Sequence, residues 1–264
     1  MRLLGATFRK LGRRPATRNT LIALAALLVV IYISIAASVG AAADNPDARA
    51  GIEPLLVFPD AYGTMAGVLL TLVGFAGAAY GGAIAGSEWS WNTFRLAIAR
   101  GESRARYAVV TLMGVVGVLL VMWLLLFAGG VVMARIGAAF GGLDPGDMAG
   151  DGILGRLPLV IGGGWWAVTT YAAIGFTVSF LARSPVAGIV AVVILYFGEQ
   201  FAAAIVAADV IRFAPMTAGA QIVRMAASAT AAPGDILLPL ATTTVYLAVA
   251  VGALAIMTRR TEVA

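Results

Sequence analysis

The sequence predicts an all-α integral membrane protein: six transmembrane helices, an amphipathic interfacial helix at the N-terminus, and short re-entrant or outer helices before the last span. Three observations predict it. Hydrophobic residues make up 61% of the chain and charged residues 12%, a balance outside the range of soluble domains. The apolar residues fall into runs long enough to cross a hydrocarbon core of about 30 Å, which takes about 20 residues of helix. Charge is confined to the joints: none lies between Asp60 and Glu88, or between Arg106 and Arg135.

Residues 1–19 are basic, and a helix there sets Leu4, Phe8 and Leu11 on one face with Arg2, Arg9 and Arg13 opposite. Gly12 and Pro15 end it. This pattern fits a helix lying in the inner membrane interface, in contact with lipid. The apolar run 20–43 is too long for the h-region of a signal peptide and reads as the first span. Residues 44–60, with Asp44, Asp47, Glu53, Asp60 and three prolines, read as an irregular outer loop.

The second span, 61–86, is rich in small residues. Gly77 with Gly81, and Gly82 with Gly86, form two G-x-x-x-G pairs, which let another helix approach closely. The pattern leaves open whether that helix belongs to this chain or to a second copy. Spans follow at 108–133, 158–181, 186–207 and 236–257. Trp165 and Trp166 suit an outer aromatic belt at the start of the fourth. Asp144, Asp147 and Asp151 lack the spacing of a calcium loop and read as a solvated turn. Residues 208–234, broken by Pro215 and Pro233, are too polar and interrupted to span.

Between the second and third spans lies SEWSWNTFRLAIARGESRARY, residues 87–107. It carries Arg95, Arg100, Arg104 and Arg106 against Glu88 and Glu102, and an arginine excess puts such a loop on the cytoplasmic side. As a helix it aligns Trp91, Phe94 and Ile98 on one face. Segments on the inner side hold thirteen basic residues, those on the outer side five. Both termini are therefore expected in the cytoplasm of a cell-membrane protein.

Composition also excludes chemistries. With no cysteine and no histidine there is no thiolate, no disulfide and no imidazole base or ligand. Lys10 is the only lysine, so no G-x-x-x-x-G-K-[ST] phosphate loop exists in the chain. The basic residues sit where topology explains them, which argues against nucleic-acid binding. No aspartate falls inside a predicted span, which leaves intramembrane catalysis the weakest reading.

Glu88, then Asn92 and Thr93, then Arg95 and the Ser103-Arg104 pair, resembles the loop after the second span in ATP-binding-cassette type-2 exporter permeases. Asn92 stands where that family usually has Gly, Thr111 where a lysine is frequent, and Gly101 where a proline is frequent. Asn tolerates a left-handed backbone, so the turn is expected to survive. The resemblance implies that 87–107 is a coupling loop, with Glu88, Trp91, Asn92, Thr93, Phe94, Arg95, Ser103 and Arg104 in contact with a separate ATPase subunit.

It further implies a single permease domain over 1–264, paired with a second copy or a related permease. The resemblance implies no cofactor in this chain, with Mg-ATP bound by the partner. The region 208–234 would form short helices dipping into the outer leaflet. The cargo expected of a nearly uncharged interior is hydrophobic or amphipathic: a drug, lipid or apolar peptide. The competing classes are a secondary transporter or channel and a structural membrane subunit. Ion-coupled carriers need ionisable groups in the membrane, and only Glu199 qualifies. Tyr196 shares its helical face and Gln200 adds polar capacity beside it. These three residues either line the translocation path or, in the case of Glu199, tie the fifth span to a neighbouring helix.

The charge asymmetry predicts an orientation that labelling can check. Cysteines introduced at Asp47 and Asp147 should react with an impermeant thiol reagent from outside intact cells, and one at Ser103 should not. Labelling of Ser103→Cys from outside would reverse the topology.

Overall fold

Glycines decide which helices touch. In the computed structural model, which describes residues 2–42, 45–232 and 234–260, six helices are long and apolar enough to cross a membrane. They are α2 (Pro15–Ala41), α4 (Asp60–Ser90), α6 (Arg104–Phe140), α7 (Ile153–Ala182), α8 (Pro185–Ile205) and α11 (Leu237–Arg260). Shorter helices join them: α1 (Arg2–Gly12), α3 (Pro46–Ile52), α5 (Thr93–Ala99), α9 (Ala208–Ile211) and α10 (Pro215–Ala227). No strand occurs among the described residues, only an isolated bridge between Phe58 and Gly146. The protein is an all-α, multi-span membrane protein.

The spans form an inner and an outer set. In α4, α6 and α7, 61%, 50% and 67% of the most apolar stretch is buried; in α2, α8 and α11 it is 22%, 17% and 17%. The inner set packs through small residues. A Cβ on Gly81 would lie 3.1 Å from the carbonyl oxygen of Ala172, and one on Gly175 would lie 2.8 Å from that of Ala78. A Cβ on Gly86 would lie 2.5 Å from the nitrogen of Pro185, and one on Gly77 would meet Leu119 and Val168. Both G-x-x-x-G pairs are therefore filled from within the chain, by α6, α7 and the start of α8.

One end of the bundle collects α1, the α4–α6 loop, the α7–α8 turn and the C-terminal turn of α11. Arg183 lies over the Trp89 ring at 4.5 Å, and Arg259 shares a hollow with Ser103, Arg104 and Arg106. At the opposite end the loops interlock: the Phe58 N–H donates to Pro145 O at 2.9 Å, and Arg156 Nη1 donates to Ala227 O at 2.8 Å.

Several boundaries differ from the sequence reading. The third span continues to Phe140 and the fourth begins at Ile153. Trp165 and Trp166 thus lie well inside α7, not at its start. The Trp165 indole donates to Val116 O on α6, so this pair packs the bundle instead of forming a belt at its edge. The 44–60 loop contains a helix because Asn45 caps it, accepting from the Ala48 N–H at 3.2 Å, and Pro46 occupies the first turn, where a missing N–H costs nothing. Ala43, at the end of the first predicted span, and Asp44 and Pro233 in the loops lie outside the described residues.

The apolar face of α1 is not left to lipid alone. Thr7 and Leu11 pack on Gly114, where a Cβ would come within 2.6 Å and 3.0 Å of them, and the Phe8 ring lies against Gly117. The basic Arg9 and Arg13 are exposed. Arg14 adopts an extended backbone, and Pro15 then opens α2.

The close contact of α4 with α7 yields a mutational contrast. Gly175→Leu should destabilise the bundle by about 1–3 kcal/mol through overpacking, lowering the thermal unfolding midpoint in detergent. Gly129→Leu, where a Cβ meets nothing within 4 Å, should leave that midpoint unchanged or slightly raised.

Candidate functional site

The loop after α4 is built around a buried carboxylate. Glu88 is 0% exposed, in the last turn of α4. An ionised carboxylate so placed needs donors on both oxygens. Its Oε1 accepts from Lys10 Nζ at 2.8 Å and Arg14 Nη2 at 3.0 Å. Its Oε2 accepts from Thr93 Oγ1 at 2.6 Å, from the Tyr107 hydroxyl at 2.5 Å and from Lys10 Nζ at 3.0 Å. Arg14 also donates to Ser87 Oγ at 2.9 Å and lies over the Trp91 ring. One side chain thus joins α1, α2, α4, α5 and α6. Lys10, 37% exposed, keeps part of its charge in water, which limits the desolvation cost.

Local chemistry shapes the loop. Asn92 adopts φ 55°, ψ 16°, the left-handed conformation expected of it, and reverses the chain between α4 and α5. After α5, Gly101 takes φ 90°, which proline's ring forbids and glycine adopts freely. Ser103 caps α6, its Oγ accepting from the Arg106 N–H. Beneath the loop, Phe94 packs on Trp89, Phe180 and Tyr107 at ring separations of 4.7, 5.1 and 5.8 Å. The Trp89 indole donates to Phe180 O. Thr111, buried, donates to Tyr107 O within its own helix.

The predicted contact residues therefore divide in two. Glu88 and Phe94, 0% and 1% exposed, hold the loop from inside. Thr93 sits between, its hydroxyl spent on Glu88. Trp91, Asn92, Arg95 and Ser103 are exposed and Arg104 is half-buried. Trp91 precedes α5 and does not share a face with Phe94 and Ile98, because the helix starts only at Thr93. Leu96, 54% exposed beside Arg95, joins the presented surface although the sequence did not single it out.

Sequence reasoning missed Lys10, Arg14 and Tyr107 as partners of Glu88. A signal existed: an acid closing a long charge-free run requires cations, and the N-terminal cluster is rich in them. Which of six basic residues answer depends on the break at Gly12–Arg14, which turns Lys10 and Arg14 toward α4 and leaves Arg9 and Arg13 outside.

The second predicted group also comes together. Tyr196, Glu199 and Gln200 line one cavity of about 560 Å³ between α4, α7, α8 and α10. Glu199 caps α10: Oε1 accepts the Met216 N–H at 3.1 Å, and Oε2 accepts the Thr217 N–H and hydroxyl at 3.0 and 3.2 Å. Helix α10 runs inside the bundle. Gly219 abuts Tyr171 midway along α7, Ile222 abuts Gly163, and Ala227 abuts Gly63 near the start of α4. Its N-terminus thus lies deep in the bundle, where unpaired N–H groups would be costly, and Glu199 satisfies two of them.

No family model, curated protein or solved structure matches this chain. What the fold defines is a class: a multi-pass, all-α membrane protein carrying a surface helix locked to its bundle.

The Glu88 cluster sets a stability expectation. Glu88→Ala leaves Arg14 buried without its carboxylate and should cost about 3–5 kcal/mol. Lys10→Met, which removes only the half-exposed partner, should cost less. Thermal unfolding in detergent ranks the two. Trypsin cleavage after Arg9 and Arg13 should accelerate in Glu88→Ala as α1 loosens; an unchanged rate would mean that α1 is held by α6 alone.

Proposed function

We propose that the chain is the transmembrane permease subunit of an ATP-binding-cassette exporter. The single observation that carries this reading is the short helix α5, presented with exposed Trp91, Arg95 and Leu96 and fixed to four other helices through one buried carboxylate. A loop that only joined two spans would need no such anchorage. A loop that receives force from a partner does, because displacement is transmitted only through a stiff contact. The resemblance of Glu88, Asn92, Thr93, Arg95, Ser103 and Arg104 to the type-2 coupling loop points the same way.

In this reading a separate ATPase subunit binds Mg-ATP and docks on the exposed part of 87–107, on the cytoplasmic side. Two copies, or one copy and a related permease, form the transport unit. Closure of the ATPase pair shifts α5, and Glu88 passes that shift to α1, α4 and α6. Cargo moves outward along a path that includes Tyr196, Glu199 and Gln200. Whatever cargo does to the nucleotide equilibrium, nucleotide does in return to cargo affinity.

A photoreactive residue at Leu96 should crosslink, in native membranes, to a polypeptide containing a G-x-x-x-x-G-K-[ST] loop. Arg95→Glu should reduce that adduct at least tenfold without altering membrane insertion or the unfolding midpoint. These surface positions are preferable to Glu88, whose replacement breaks the loop itself. ATP hydrolysis by the purified chain alone, or an undiminished adduct in Arg95→Glu, would defeat the reading.

A further inference from the structure

The cavity beside Glu199 is lined by two ionisable groups of opposite sign, and they are not equivalent. Glu199, 6% exposed, has both oxygens occupied by the donors of Met216 and Thr217. Those donors stand at the N-terminus of a 13-residue helix, whose positive dipole end further offsets the carboxylate. Arg224, on the last turn of the same helix, also lines the cavity and is exposed. Among the described residues it has no ion-pair partner. Asp235 borders an adjoining hollow with Arg224, but its Oδ2 accepts the Ala232 N–H. Of the two tyrosines in the wall, Tyr171 has its hydroxyl spent, donating to Met216 O at 3.1 Å. The remaining wall sets Thr71 and Gln200 beside an apolar stretch made by Leu70, Ala203, Ala220 and the edge-to-face pair Phe75 and Tyr196.

A cation entering this cavity would meet a carboxylate that is 6% exposed and already accepts three hydrogen bonds. An anion finds a guanidinium with its donors uncommitted, in a planar fork matched to carboxylate or phosphate. We propose that the cavity binds an amphiphile with an anionic headgroup, the head on Arg224 and the chain against Leu70, Phe75 and Tyr196. Glu199 then acts as the fastening between α8 and α10, a positioning residue that meets no charge on the cargo. Treating this ligand as cargo rests on the transport reading; the binding itself does not.

The test uses the full chain in dodecyl maltoside with a dodecyl phosphate carrying a diazirine at the chain terminus, adducts being mapped by mass spectrometry. Adducts should fall on residues 70–75 and 196–203, saturate, and be competed by unlabelled dodecyl phosphate. Dodecyltrimethylammonium should compete at least tenfold less well, and inorganic phosphate should not compete, since it offers no chain. Arg224→Gln should raise the half-competing concentration of dodecyl phosphate about tenfold with no change in unfolding midpoint. Ala203→Trp, which fills the apolar part, should abolish the adducts. Equal competition by the cationic amphiphile, competition by phosphate alone, adducts elsewhere, or no effect of Arg224→Gln would overturn the proposal. No ATPase is present in this assay. Binding here together with no ATP-hydrolysing partner at Leu96 would refute transport alone; a partner at Leu96 with no binding here would refute only this site.

Discussion

The structure depends most on one carboxylate that has no water to solvate it. Placing Glu88 at the buried end of α4 would cost several kcal/mol as a lone ion. The chain offsets that cost by bringing two cations and two hydroxyls to it from residues as distant in sequence as Lys10 and Tyr107. The arrangement is directional as well as stabilising. Each donor must arrive at a fixed angle, so α1, α5 and the start of α6 are held relative to α4 rather than merely packed near it. The break between α1 and α2 and the left-handed turn at Asn92 serve this geometry.

The apolar part of the bundle is organised by a different constraint. Lipid gives no hydrophobic incentive for one span to prefer another, so association relies on close packing and on polar contacts. The small residues of α4 and α7 supply the packing, with backbone carbonyls lying where side chains would otherwise stand. The second carboxylate, Glu199, supplies a polar contact of its own. It binds a helix terminus instead of side-chain cations, and so fixes α10 inside the bundle. Two acids in apolar surroundings thus have opposite partners, and each turns a desolvation cost into a joint between elements.

In the transport reading these two joints are the ends of a lever. The Glu88 joint connects a surface helix to three long helices at one end. The Glu199 joint connects α8 to the helix that walls the cavity. Helix α4 contacts α7, α8 and α10, so in this reading a displacement at the first joint has a packed route to the second.

The sequence by itself determined the class and the punctuation. Long uncharged runs between short charged joints admit no other solution than spanning helices, since every backbone donor must be satisfied within its own segment. It also marked the turn at Asn92, the stop at Gly12 and Pro15, and the polar patch at Tyr196, Glu199 and Gln200, because each follows from residues close together in the chain. It could not say what Glu88 touches, which helix fills the glycine stripe of α4, or that Trp165 and Trp166 are packed against α6. Those depend on residues far apart in sequence meeting at a few ångströms. Composition and periodicity give the direction in which a side chain points along its own helix. Only the packing of helices against one another decides what stands opposite.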